Sequence, residues 1–145
     1  MTRSRARRSL TAAAILLLVQ GVVMEGLVVL ALPVLLAAGV DQQDVTTRAE
    51  IFALDYLQEH LFLMMVMSGI FAALRIIGAI GLLRNRLWGL ALSIVNCAVT
   101  LVLMVFMLPA GIADGVLSGG ALVLILLGWL GRDEHGRPRA IVEEA

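Results

Sequence analysis

Four long apolar blocks, with charge divided unequally between their two sides, constrain this chain more than any other feature of its sequence. The blocks span residues 12–38, 60–83, 87–108 and 116–130. A helix needs about 20 apolar residues, and at least about 17, to cross a hydrocarbon core of roughly 30 Å. The first three blocks meet that length, and the fourth reaches it with its flanking glycines, over residues 115–131. The sequence therefore predicts an all-α fold, an integral membrane four-helix bundle that runs up-down-up-down.

The composition agrees with a membrane domain and leaves little room for anything else. Of 145 residues, 61% are apolar, and the mean hydropathy is +0.99, too high for an ordinary soluble domain. We expect a basic cytoplasmic N-terminus over residues 1–11, a membrane domain over 12–131 and a charged cytoplasmic tail over 132–145. The chain has no nucleophile triad, phosphate-binding loop, CxxC or HExxH motif. We therefore expect no enzymatic activity, no cofactor, no bound metal and no nucleic-acid partner.

The arginines predict the orientation of the chain in the membrane. Nine of the eleven arginines share one side if the chain crosses at every block, and six acidic residues share the other side with Arg48. The nine are Arg3, Arg5, Arg7, Arg8, Arg84, Arg86, Arg132, Arg137 and Arg139. The six are Asp41, Asp44, Glu50, Asp55, Glu59 and Asp114. Because cytoplasmic loops are rich in Arg and Lys, both termini are expected in the cytoplasm. The lack of lysine and the abundance of Ala, Val, Leu and Gly favour a GC-rich bacterium, and so the bacterial cytoplasmic membrane.

The segment before the second block carries most of the outer charge. Thr46 or Thr47, followed by Glu50, predicts a helix that begins with a capping box. The resulting amphipathic outer extension of the second helix, residues 46–59, either projects outward or lies on the membrane. It covers the outer mouth of the bundle or offers a surface to a partner. The residues of that possible outer partner surface are Arg48, Asp55, Gln58, Glu59 and His60.

Polar side chains inside a bilayer are costly, so each one indicates a function or a pairing. At 1.5 Å per residue, Glu25 lies about 20 Å from the inner end of its span, and Arg75 and Asn96 lie about 12 and 13 Å from theirs. Arg75 is long enough to bridge much of that difference. We expect Glu25, Arg75 and Asn96 to converge near the centre of the bundle. The predicted intramembrane polar cluster consists of Glu25, Arg75, Asn96, Gln20, Ser93 and Thr100.

Gln20 is the member of this set that fits least well. It lies about 140° around an α-helix from Glu25, so the two side chains are not expected to share one centre. We expect one of the two to face a neighbour or a second subunit. Three roles for Glu25 and Arg75 stay open: a structural ion pair or an inward-reaching arginine, a site for an ion, proton or headgroup, and a contact with a partner's helix.

A glutamate in the first of four short spans is similar to the small multidrug exporters, which use that residue for proton-coupled cation exchange. This chain is longer, has no comparable aromatic residues around Glu25, and adds Arg75, which would neutralise the carboxylate.

The sequence favours a non-catalytic accessory or assembly subunit of a larger bacterial membrane complex, for transport or respiration. Three features available for docking favour this interpretation: the small-residue helix faces, the polar Gln20 and the outer segment. The alternative is a homo-oligomeric small transporter or lipid-binding protein that uses the buried Glu, Arg and Asn residues. The expected partners are membrane lipid and either a larger membrane protein or further copies of the chain.

Overall fold

The computed structural model describes residues 3–48, 54–109 and 111–130, and these residues form helices and turns without a β-strand. The elements are α1 (Arg3–Val19), a π-helical segment (Gln20–Gly26), α2 (Leu27–Ala37), α3 (Gln42–Thr46), α4 (Asp55–Glu59), α5 (Leu61–Leu83), α6 (Leu87–Phe106) and α7 (Ile112–Leu130). The prediction of an all-α chain with four long apolar helices is confirmed.

Within the described ranges, four helices are long and apolar enough to cross a membrane, and they indicate a small membrane protein. They are Ala6–Ala37, which joins α1, the π-helical segment and α2, followed by α5, α6 and α7. The first helix begins at Arg3, nine residues before the apolar block that starts at residue 12. The reason is that residues 3–11 contain several arginines, which are good helix formers, and neither glycine nor proline.

The four long helices form a closed ring of neighbours. α1 packs against α5 and α7, and α6 packs against the same two helices. Ten buried apolar side chains fill the space between them: Leu10, Ala13, Ala14, Leu17, Ala79, Leu82, Leu90, Cys97, Ala121 and Ile125. The outward faces carry large exposed apolar residues on every long helix, as a lipid environment allows.

Small residues bring the helices close together, as is usual where membrane helices pack. A Cβ added to Gly81 on α5 would lie 2.5 Å from the Cα of Gly89 on α6, so the two backbones touch. A Cβ on Gly128 of α7 would lie 2.8 Å from the side chain of Leu10. We call the part of the bundle around these contacts the close-packed end.

The segment between α2 and α5 differs from the predicted amphipathic extension. Thr46 and Thr47 lie at the end of α3, where both hydroxyls donate to the carbonyl of Gln43, at 3.3 and 2.8 Å. Both threonines therefore end α3, and the predicted capping box, which also needs the residues that follow them, stays a prediction. Glu50, the other half of the predicted capping box, lies outside the described residues.

A break at His60 separates α4 from α5, so residues 46–59 are not a continuous extension of the second long helix. His60 has φ −114° and ψ 34°, which is not helical. The side chain of Gln42 stabilises the break from both sides. Its Oε1 accepts from the backbone N–H of Phe62 at 3.0 Å, and its Nε2 donates to the carbonyl of Glu59. One glutamine thus satisfies backbone groups that two helix ends would leave without partners.

Candidate functional site

The π-helical segment determines which polar residues of the first long helix point into the bundle. A π-helix closes hydrogen bonds between residues five apart, so such residues lie roughly one above the other. Gln20 and Glu25 are five apart, and both are buried, with 0% and 6% of their surface exposed. The expectation that Gln20 and Glu25 cannot both point into the bundle is therefore wrong. Its cause was the assumption of 100° per residue, which holds for an α-helix and not for this segment.

Arg75 on α5 is the centre of the site and is 1% exposed. Its Nη2 lies 3.0 Å from Oε1 of Glu25 and donates to Oγ1 of Thr100 on α6 at 2.7 Å. Its Nη1 lies 3.9 Å from Oδ1 of Asp114 on α7. The side chain can reach Glu25 because the Cα–Cβ bonds of a helix tilt toward its N-terminus, which for α5 is the end at Leu61. One guanidinium thus contacts residues from three other helices.

A second set of hydrogen bonds joins the π-helical segment to the beginning of α7. Nε2 of Gln20 donates to Oδ1 of Asp114 at 2.7 Å, to the carbonyl of Asp114 at 3.1 Å and to Oγ of Ser118 at 3.0 Å. The Ser118 hydroxyl lies 3.3 Å from Oε1 of Gln20 and donates to it. Gln20 therefore holds the Asp114 carboxylate beside Arg75.

Sequence reasoning missed Asp114 and Ser118 as members of the site. The sequence pattern assigns Asp114 to the outer loop acids, because the fourth apolar block begins after it, at residue 115 or 116. The helix begins at Ile112, which puts Asp114 one turn before Ser118 on the same face. The spacing of four residues between an acid and a serine on a small-residue face was the signal available in the sequence.

The structure connects four of the six predicted members. Gln20, Glu25, Arg75 and Thr100 share bonds or ion pairs, and with Asp114 and Ser118 they form what we call the polar cluster. Ser93 and Asn96 are buried, but their side-chain polar atoms have no hydrogen-bond partner among the described residues. Ser93 packs against Gly78, where a Cβ would lie 2.8 Å from its hydroxyl. Asn96 therefore forms no hydrogen bond with Glu25 or Arg75, although the sequence predicts that the three converge.

The polar cluster also contains atoms without a hydrogen-bond partner among the described residues. They are Oε2 of Glu25 and both Nε and Nη1 of Arg75. Buried polar atoms of this kind are uncommon, and water or an ion often accounts for them.

The charges of the polar cluster do not balance. Glu25 and Asp114 carry two negative charges when ionised, against the one positive charge of Arg75. The Glu25 and Arg75 side chains are 8% and 1% exposed, whereas that of Asp114 is 27% exposed. An unmatched charge in an environment of low dielectric constant is costly. The cluster therefore favours the arrival of one further positive charge.

Asp114 lies at the open side of the polar cluster. It is in the first turn of α7, yet its partner Gln20 lies in the middle of a 32-residue helix. From Gln20 that helix continues 17 residues to Ala37, about 26 Å at 1.5 Å per residue. None of the residues of α2 is buried. Of the two carboxylates in the cluster, the more exposed one is therefore that of Asp114, in the first turn of α7.

Four residues of the predicted outer partner surface lie in or directly after α4, and the fifth, Arg48, follows α3. Arg48, Asp55 and Glu59 are exposed, and Gln58 is half-buried and donates to the carbonyl of Thr46 at 3.3 Å. The ring of His60 stacks on Tyr56 with the ring centres 4.4 Å apart. In the part of the chain that the structure describes, no three His, Cys, Asp or Glu residues are placed to hold a metal ion.

Comparisons with protein-family models, with curated proteins and with solved structures each found no match to this chain.

Proposed function

We propose that this chain is a small membrane transporter whose polar cluster binds one monovalent cation, H⁺ or Na⁺. The observation that carries the proposal is the pairing of two carboxylates, Glu25 and Asp114, with the single guanidinium of Arg75. One bound cation would bring the formal charge of the buried cluster to zero, which removes the cost of the unmatched charge.

The two carboxylates have different roles in this proposal. Asp114, the more exposed, receives the cation from water at the beginning of α7. Glu25 is the inner acceptor, because its Oε2 has no hydrogen-bond partner among the described residues while its Oε1 is held by Arg75. Arg75 keeps the two carboxylates from both being neutralised, so the cluster takes one cation and not two.

The proposal includes four membrane crossings in alternating directions, with both termini in the cytoplasm of a bacterium. Two contacts between α5 and α6 support alternating directions: Gly81 with Gly89, and Gly78 with Ser93. Residue numbers fall along α5 as they rise along α6, so the two helices are antiparallel. Leu10 with Gly128 and Gln20 with Ser118 give the same pattern between the first long helix and α7. The positive-inside distribution of arginines supports the placement of the termini.

The test is cation flux into liposomes that contain the purified chain, with a pH gradient in one arm and a Na⁺ gradient at constant pH in the other. We expect Glu25→Gln and Asp114→Asn each to reduce flux at least tenfold under whichever of the two gradients drives flux through the unmodified chain. Asp55→Asn, which removes an exposed carboxylate outside the cluster, is the matched control and should leave flux unchanged. Flux in neither arm, or flux that survives both cluster variants, would overturn the proposal.

The accessory or assembly subunit is the second candidate, and α2 is the observation that favours it. This helix is apolar, packs on α5 along one side and has no buried residue, so its outward face can pack on another membrane protein. The bonds of Gln20 inside the bundle remove one of the observations on which the sequence-based expectation rested. Native mass measurement after gentle purification distinguishes the candidates, because a stoichiometric larger partner favours the subunit and a monomer or homo-oligomer favours the transporter.

A further inference from the structure

A groove lies on the outward face of α1, away from the polar cluster. It is shallow and open, has a volume of about 440 Å³ and is lined by Arg7, Arg8, Thr11, Ala12 and Ile15. The opposite face of the same helix carries buried residues, among them Leu10, Ala13 and Leu17, which pack into the bundle. The groove therefore faces the surrounding lipid and not the protein interior.

The chemistry of the groove changes along the helix in the same order as that of a phospholipid. Arg7 and Arg8 lie at one end, the hydroxyl of Thr11 follows one turn later, and the apolar Ile15 follows after another turn. From Arg7 to Ile15 the rise is about 12 Å at 1.5 Å per residue. Guanidinium groups bind phosphate oxygens in a fork of two hydrogen bonds, a hydroxyl suits the ester region, and an exposed isoleucine suits an acyl chain.

We propose that this groove binds one anionic phospholipid, such as phosphatidylglycerol, with its phosphate on Arg7 and Arg8 and an acyl chain along Ile15. The residues that line the groove include no carboxylate, so nothing in the lining would attract the amine or choline of a zwitterionic headgroup. The two adjacent arginines instead favour a headgroup with net negative charge. This site is independent of the cation-binding function, because none of its residues belongs to the polar cluster.

The experiment is native mass spectrometry of the chain extracted from membranes that contain equal amounts of phosphatidylglycerol and phosphatidylcholine. The intact chain is expected to retain one phosphatidylglycerol in preference to phosphatidylcholine. The Arg7→Gln/Arg8→Gln double variant should lose this preference by about thirtyfold, which corresponds to the loss of two guanidinium contacts near the membrane surface.

The matched control removes the same charge from another part of the chain. Arg84 and Arg86 are exposed in the turn between α5 and α6, and Arg84→Gln/Arg86→Gln should retain the bound phosphatidylglycerol. Equal loss in both double variants would mean general attraction to charge and would overturn the site. So would retention in both, or displacement of the lipid by millimolar inorganic phosphate, which would identify free phosphate as the ligand. Ile15→Ser tests the acyl contact and is expected to weaken lipid retention while Arg7 and Arg8 are intact.

Discussion

The close-packed end and the polar cluster are held together in different ways although the same four helices form both. At the close-packed end, α5 and α6 touch through the backbones of Gly81 and Gly89, and the side chains around them are apolar. In the polar cluster, the helices are joined by the hydrogen bonds and ion pairs of Gln20 and Arg75.

The two regions differ in how completely their groups find partners within the fold. The close-packed end depends on shape alone, so its contacts are complete without any further group. The polar cluster keeps an unmatched negative charge and buried atoms without hydrogen-bond partners among the described residues, which is a poor way to stabilise a fold. Departures of this kind from good packing are typical of functional sites. Substitutions in the two regions should therefore differ in what they change.

The largest effect is expected from Arg75→Gln. It removes the positive charge between Glu25 and Asp114 and leaves two carboxylates facing each other, at a cost of about 3–5 kcal/mol in the free energy of unfolding. The measurement is thermal unfolding, detected by the labelling of the Cys97 thiol. Cys97 is buried and is the single cysteine of the chain, so it reacts when the bundle opens.

Adding Glu25→Gln to Arg75→Gln should restore much of the lost stability, because one of the two unpaired charges is then gone. Arg84→Gln, at an exposed arginine, is the control and should unfold like the unmodified chain. If Arg75→Gln were as stable as that control, Arg75 would not be the residue that holds the cluster together.

The next effect concerns the close-packed end. Gly89→Ala places a methyl group against the backbone of Gly81 and 2.7 Å from the backbone nitrogen of Leu82. Neither backbone can yield without moving a whole helix, so we expect a loss of about 3 kcal/mol in the same unfolding assay.

The control for Gly89→Ala is Gly120→Ala on α7, where no heavy atom lies within 4 Å of the added Cβ. Because alanine is the better helix former, this variant should be unchanged or up to about 1 kcal/mol more stable. Equal losses at both glycines would contradict the assigned contact between α5 and α6.

The smallest loss of stability is expected from Gln20→Met, which keeps the length of the side chain and removes its hydrogen bonds to Asp114 and Ser118. We expect a loss of about 1–2 kcal/mol. The loss in the free energy of cation binding should exceed the loss in the free energy of unfolding, because Asp114 is no longer held beside Arg75. A variant that unfolds earlier but binds cation with unchanged affinity would show that the position of Asp114 does not matter for binding.

The sequence predicted the apolar part of this fold better than the polar part, for a physical reason. Length and hydropathy alone identify four helices, and the small residues that line their contacts follow helical spacing. The partners of Gln20 could not be predicted in this way, because the seven-residue π-helical segment changes the angle between successive side chains. Asp114 was missed because a charged residue at the edge of an apolar block is assigned to a loop unless the start of the helix is known.

The position of Asp114 along α7 has an electrical consequence. At 1.5 Å per residue it lies about 3 Å from the first residue of that helix and about 24 Å from the last. In the proposed transporter with a membrane boundary at the beginning of α7, a cation that enters there would cross little of the membrane's voltage drop before it reached the cluster, and most of that drop on the way out. A full crossing is worth about 2.3 kcal/mol per charge at 100 mV. Membrane potential would therefore act on the exchange between the cluster and the far side, and hardly at all on the first binding step.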